Sequence, residues 1–334
     1  MLFGTVVALV VVELGMRLAG LGNPVDGTDV IQSYEPANVF EVDEDRGIGI
    51  RMRPGYAGKQ VYRRATDGVI VHEAVTNVSP AGFRSESTRT FGKVILAVGD
   101  STTFGVGVDD GESWPAALER TLSTSWRVLN AGTPGRNTSQ ETSWLRAHGA
   151  ETNPAVVILA FYINDLMPPI PLSGDVQPNR MKAPPWASRE AGLRRASRIY
   201  NLGWRTWERR ALAAPAAGGG SSYEAELVKM ARKEDLRAQF DHLMHACARL
   251  RAQPVLVLLP ALDLSDPRVG APVFVRAREA ASAASLPFID AEHALDDFDL
   301  PDRRVLPGEH HASVRANARI ADVIREGLVA KGIL

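Results

Sequence analysis

From Lys93 onward the chain alternates apolar runs with amphipathic helical stretches, and this alternation most limits what it can fold into. Val94 to Val98 (VILAV) and Ala155 to Phe161 (AVVILAF) carry no polar residue, and Trp126 to Leu129 (WRVL) reads as a shorter strand interrupted by Arg127. Continuous runs of this length fit strands covered on both faces. Between them lie two helical stretches: WPAALERTL, with Ser113 as N-cap and Pro115 in its first turn, and Thr138 to His148. The pattern resumes with a long helix from Tyr223 to Arg251, a strand from Val255 to Leu259 and a helix from Val273 to Ala284. A short strand, Phe288 to Asp290, and a last helix from Ser313 to Val329 complete it. Such a chain predicts a three-layer α/β/α domain with a flavodoxin-like parallel sheet over residues 93–334. In such sheets reactive groups collect outside the carboxyl ends of the strands. Three polar clusters fall there: Gly99-Asp100-Ser101, Asn130 to Ser139, and Asn164-Asp165.

The flanking segments read differently. Leu2 to Val12 is apolar apart from Gly4 and Thr5, and the apolar character continues to Gly22. A bilayer core of about 30 Å needs roughly 20 such residues, so residues 1–22 are expected to form a single-pass membrane anchor. Glu13 and Arg17, four apart on a helix, can pair. The competing reading is a core helix. An anchor would put the catalytic domain outside the cytoplasm. Residues 23–92 hold short alternating runs (GIGIRMRP, KQVYRRA, GVIVHEAV) that predict a small β-rich segment of hairpins without a core of its own. Residues 166–222 carry Pro168, Pro169, Pro171, Pro178, Pro184 and Pro185, then APAAGGGSS. They read as an insertion over the active-site edge, a lid or partner surface given Trp186, Tyr200, Trp204 and Trp207.

Composition excludes several classes of function. With 38 basic and 39 acidic side chains, no net field draws the chain to nucleic acid. The single cysteine, Cys247, excludes an internal disulfide and a Cys-based zinc cluster. His242 and His245 stand three apart beside it but lack further convergent ligands, so no metal or other cofactor is expected.

A serine at a strand end suggests covalent acyl transfer, which needs a base and donors aimed at the developing oxyanion. Ser101 lies in GDSTTFGVG, NAGTPG (130–135) is a glycine loop opening a helix, and FYINDL places Asn164 after the third strand. GEHHASVRANARIADVI places His311 before the last helix. These four blocks, in this order, resemble the SGNH/GDSL hydrolases, and the start ending in ELGMR resembles their membrane-anchored members. The resemblance implies Ser101 as nucleophile and His311 as base. It implies the Ser101 N–H, the Gly135 N–H and the Asn164 amide as oxyanion donors.

Two positions depart from the family pattern: Tyr162 where glycine is common, and Gly308 where the acid usually stands. The acid is then Glu309, two before His311, or Asp302, nine before. The implied function is cleavage of a small-molecule, lipid or carbohydrate ester. The alternatives are O-acyl transfer to carbohydrate, or a non-catalytic binding protein on a degraded hydrolase scaffold.

Overall fold

The structure is a computed structural model. It describes residues 2–19, 30–64, 68–84, 87, 89–167, 197–200, 202–203, 230, 235–262, 267–306 and 309–334. The expected insertion therefore lies mostly outside the described residues, as do Trp186, Trp204, Trp207 and the first turns of the helix expected from Tyr223.

Five parallel strands form the centre: β6 (Lys93–Gly99), β7 (Trp126–Asn130), β8 (Pro154–Phe161), β9 (Gln253–Leu258) and β10 (Phe288–Asp290). Their spatial order is β10-β9-β8-β6-β7. The chain starts in β6, steps out to β7, then returns to the other side of β6 for β8 to β10. This is the flavodoxin-like winding, and its switch point lies between β6 and β8. Each of Val156 to Phe161 is buried, because helices cover both faces of β8. One layer holds α3 (Trp114–Thr121) and the last helix α8 (Val314–Ala330), which pack together. The other holds α4 (Thr138–His148), α5 (Leu236–Leu250) and α6 (Pro267–Ala283). Ser113, Asn137, Asp235 and Ser313 cap α3, α4, α5 and α8 by accepting backbone N–H groups. The sequence had offered Ser113 as such a cap. The three-layer α/β/α fold is thus present.

The N-terminal β-rich segment shares an apolar cluster with the turn that follows β6. Strands β1 (Val30–Glu35), β4 (Ala57–Arg64) and β5 (Ile70–Asn77) form an antiparallel sheet, and β2 (Phe40–Val42) pairs with β3 (Ile50–Met52). Tyr34, Val39, Phe40, Ile50, Met52, Tyr56 and Val78 make a second apolar cluster completed by Phe104 and Val106. Those last two come from the turn that follows β6. Two of the nine residues of that cluster thus come from just after Ser101, so the segment and the candidate catalytic turn share it.

The apolar start forms α1 (Leu2–Leu18), with Glu13 and Arg17 paired at 2.9 Å. Among the described residues no helix is long and apolar enough to cross a membrane, so the spanning anchor expected over residues 1–22 has no support.

Candidate active site

Ser101 opens α2 (Ser101–Phe104), directly after β6. Asp100 caps this short helix: its Oδ1 accepts the Thr102 N–H at 2.8 Å, and the Ser101 hydroxyl lies 3.3 Å from its Oδ2. The neighbouring glycines are required by contact. A Cβ on Gly99 would lie 2.1 Å from Thr103 Oγ1, and one on Gly132 would lie 2.3 Å from the Phe104 nitrogen. The loop after β7 therefore presses on the turn after β6. Asn130 fastens the two: its Nδ2 donates to the Thr103 carbonyl at 2.9 Å, and its Oδ1 accepts the Gly132 N–H at 3.0 Å. Further along the same loop, Gly135 adopts φ 86°, a left-handed conformation that residues with a Cβ rarely tolerate.

Arg84, which sequence reasoning passed over, locks this turn from the β-rich side. It is buried, and its Nη1 donates to the Phe104 and Gly105 carbonyls at 2.5 Å each. Its Nη2 reaches the Val108 carbonyl at 2.5 Å and its Nε the Asp110 carboxylate at 3.1 Å. Nothing in the local sequence distinguishes Arg84 from the surface arginines around it.

Asn164 sits in a 3-10 turn, Ile163–Leu166, at the end of β8. Its amide favours the charged form of Asp100, while its Oδ1 is buried and, among the described residues, has no hydrogen-bond partner. Asp165 anchors the turn by accepting the Tyr162 N–H at 2.9 Å. Tyr162, the departure from the family pattern, is buried, and its hydroxyl accepts the Leu262 N–H at 2.9 Å. It ties the ends of β8 and β9 together, a role glycine could not fill.

His311 lies in the loop before α8. Its Nδ1 is 2.8 Å from Glu309 Oε2, and the same oxygen accepts the His311 backbone N–H at 2.8 Å. A carboxylate on Nδ1 fixes the tautomer with its proton there and its lone pair on Nε2. Asp302 instead binds Arg315 at 2.6 Å, and His310 is exposed. Gly308 lies outside the described residues.

The electrostatics join these pieces. Burial pushes the Asp100 carboxyl up, opposed by the Thr102 N–H, the His311 charge, the Asn164 amide and the Ser101 hydroxyl. The Ser101 hydroxyl, the Asn164 amide and the His311 charge thus all favour the charged form of this one buried carboxyl. Burial would also raise Glu309, but the His311 hydrogen bond and charge outweigh it and hold that carboxyl below its ordinary value. Behind the turn lie Glu141 and Asp165, both pushed well up by burial and by the neighbouring carboxylates. Among the described residues neither oxygen of Glu141 has a hydrogen-bond partner; the charge of Arg136, whose own pKa burial lowers to about 10, eases its ionisation.

Residues 97–319 match the model of the GDSL-like Lipase/Acylhydrolase family. The chain belongs to this family. Solved structures similar to it include the lipase/acylhydrolase from Enterococcus faecalis, at 15% identity and TM-score 0.41, covering 72% of this chain and 96% of that one. The psychrotrophic esterase EstA from Pseudoalteromonas sp. is similar at 13% identity and TM-score 0.43, covering 72% and 98%. A member of the lipolytic protein G-D-S-L family from Veillonella parvula DSM 2008 is similar at 15% identity and TM-score 0.42, covering 70% and 97%. No curated protein matches the chain by sequence.

Proposed function

We propose that this GDSL-family chain hydrolyses an ester through a covalent acyl intermediate on Ser101. The observation that carries the reading is the pairing of His311 Nδ1 with Glu309 at 2.8 Å, in a loop whose imidazole charge favours the ionised form of Asp100, the residue next to Ser101. In the first step Ser101 Oγ attacks the ester carbonyl carbon while its proton passes to His311 Nε2. Glu309 stabilises the resulting imidazolium. The carbonyl oxygen becomes an oxyanion, received by the Ser101 N–H, the Gly135 N–H and the Asn164 amide. As the first helical residue, Ser101 has an N–H with no intrahelical acceptor. Collapse of the intermediate breaks the carbon–oxygen bond, and the alcohol leaves with the proton from His311. Water then attacks the acyl-serine, giving its proton to His311, and the acid departs with Ser101 regenerated.

Ser101→Ala removes the nucleophile and little packing, so turnover of p-nitrophenyl acetate and labelling by a fluorophosphonate probe should both vanish while the melting temperature holds. Wild-type protein that neither turns over the ester nor takes the probe would leave a binding protein on a hydrolase scaffold. If an acceptor sugar diverts the acyl group from water, the same serine is performing transfer.

A further inference from the structure

The parallel sheet has two ends, and the candidate active site occupies only the carboxyl one. Where β6, β7, β8 and β9 begin, a cleft of about 760 Å³ opens, with Lys93, Trp126, Arg127, Asn153, Arg251 and Gln253 in its walls. Lys93 and Gly99 are the two ends of β6. At about 3.3 Å per residue, the cleft is roughly 20 Å from the turn that holds Ser101.

Three features give this cleft a chemistry. It is lined by three cations and by no aspartate or glutamate. Arg127 Nε is buried and, among the described residues, has no hydrogen-bond partner. A guanidinium nitrogen removed from water without an acceptor is destabilising unless something supplies one. Finally, Arg251 at φ 55° and Asn153 at φ 44° hold left-handed positions at the ends of α5 and of the 3-10 turn Gly149–Thr152. Glycine fills such positions with less strain. Here the chain keeps a guanidinium and an amide in the cleft wall.

We propose that the cleft binds a phosphate-class anion. Guanidinium forks match the oxygens of phosphate, and the Lys93 ammonium adds a point charge. A carboxylate would leave most of the positive charge unanswered, whereas a phosphate monoester carries about −1.5 to −2 at neutral pH. The Trp126 ring, with Lys93 Nζ 5.4 Å from its centre, offers an aromatic wall to whatever body carries the phosphate. The ligand is either free inorganic phosphate or a small phosphate monoester. The site is independent of the proposed ester chemistry.

The test uses the full chain in phosphate-free buffer, with calorimetric titration of inorganic phosphate, glycerol phosphate and glycerol. Saturable binding of at least one phosphate compound, but not of glycerol, is expected. Arg127→Gln and Lys93→Gln should each weaken it roughly tenfold or more, the usual loss for a charge-assisted hydrogen bond. Both variants should keep wild-type turnover of p-nitrophenyl acetate. Tighter binding of glycerol phosphate identifies a monoester site, and equal or weaker binding identifies a site for the ion alone. Lys93 is exposed, so its variant preserves the test if Arg127→Gln fails to fold. The proposal is overturned if neither phosphate compound binds saturably, or if a folded variant binds as tightly as wild type.

Discussion

Replacing Glu309 by Gln removes one charge and almost no volume, which makes it the sharpest probe of the proposed base. The carboxylate is 2.8 Å from His311 Nδ1. When the serine proton reaches the imidazole, an ion pair forms at that distance. Two such charges attract by roughly 6 kcal/mol at an effective dielectric constant of about 20, and by about 1.5 kcal/mol in water. The His311 and Glu309 side chains are 20% and 15% exposed, which places the site between these limits and nearer the first. A loss of about 3–5 kcal/mol in the transition state corresponds to a rate loss of roughly 10²–10⁴. The new amide also presents N–H where the imidazole needs an acceptor, so the wrong tautomer is favoured.

The assay is steady-state hydrolysis of p-nitrophenyl acetate near pH 8, with thermal melting as the control for folding. The expectation is a kcat lower by that factor with KM little changed, because the interaction strengthens only as the proton moves. Stability gives an independent readout. The Glu309 carboxyl is held below its ordinary 4.5 in the fold, so its stabilisation is complete above about pH 4.5 and is lost as pH falls through the lowered value. Glu309→Gln should therefore narrow its stability gap to wild type as the medium is acidified. A kcat/KM within threefold of wild type would refute the reasoning and detach Glu309 from the chemistry.

Other perturbations test the surroundings. Asn164→Ala should lose about 10²–10³ in kcat with a much smaller change in KM, and a rise in KM alone would place Asn164 in substrate binding. Glu141 is a buried carboxyl pushed up, so its protonated form suits the fold, and its stabilisation is lost as pH rises through the raised value. Glu141→Gln should accordingly gain melting temperature over wild type between pH 5 and pH 8, and a constant difference across that range would exclude this role. Gly132→Ala forces a methyl to within 2.3 Å of the Phe104 nitrogen, which should cost about 1–3 kcal/mol in denaturant unfolding and lower kcat. Wild-type values for both would mean that the loop does not press on the helix.

The parallel sheet was legible because burial on both faces leaves a mark that no other element shares. Val94 to Val98 and Ala155 to Phe161 read as strands and are strands, with ends shifted by a residue. Thr138–His148 is a helix over its whole expected range, since an Asn137 cap and Gln140 define its start as a capping box. The antiparallel strands were legible only as alternation. What alternation cannot reveal is where a small sheet finds its missing core. Phe104 and Val106 supply it here, from a stretch that reads as a polar loop after a strand. The apolar run at the start reads as a membrane span from composition alone, and among the described residues no helix is long and apolar enough to cross a membrane.

The candidate site divides along the same line. Groups that act at strand ends are placed by the strands themselves, so Ser101 and Asn164 could be located before any coordinates. His311 and Glu309 could be paired because a two-residue spacing in a loop lets one carboxylate oxygen meet both the Nδ1 and the backbone N–H. Asp302, nine residues upstream, is only the fallback by spacing, and Arg315 binds its carboxylate at 2.6 Å. The supporting residues left no such trace. Arg84 reaches the turn from the stretch that follows β5, and Glu141 feels Asp165 and Asp100 only through the packing of α4 under the loops. A buried ionisable group depends for its existence on partners distant in sequence, so its neighbours in the chain say nothing about it. A GDSL block can therefore reveal where a nucleophile would stand, while the arginine that keeps its helix in place must be found in three dimensions.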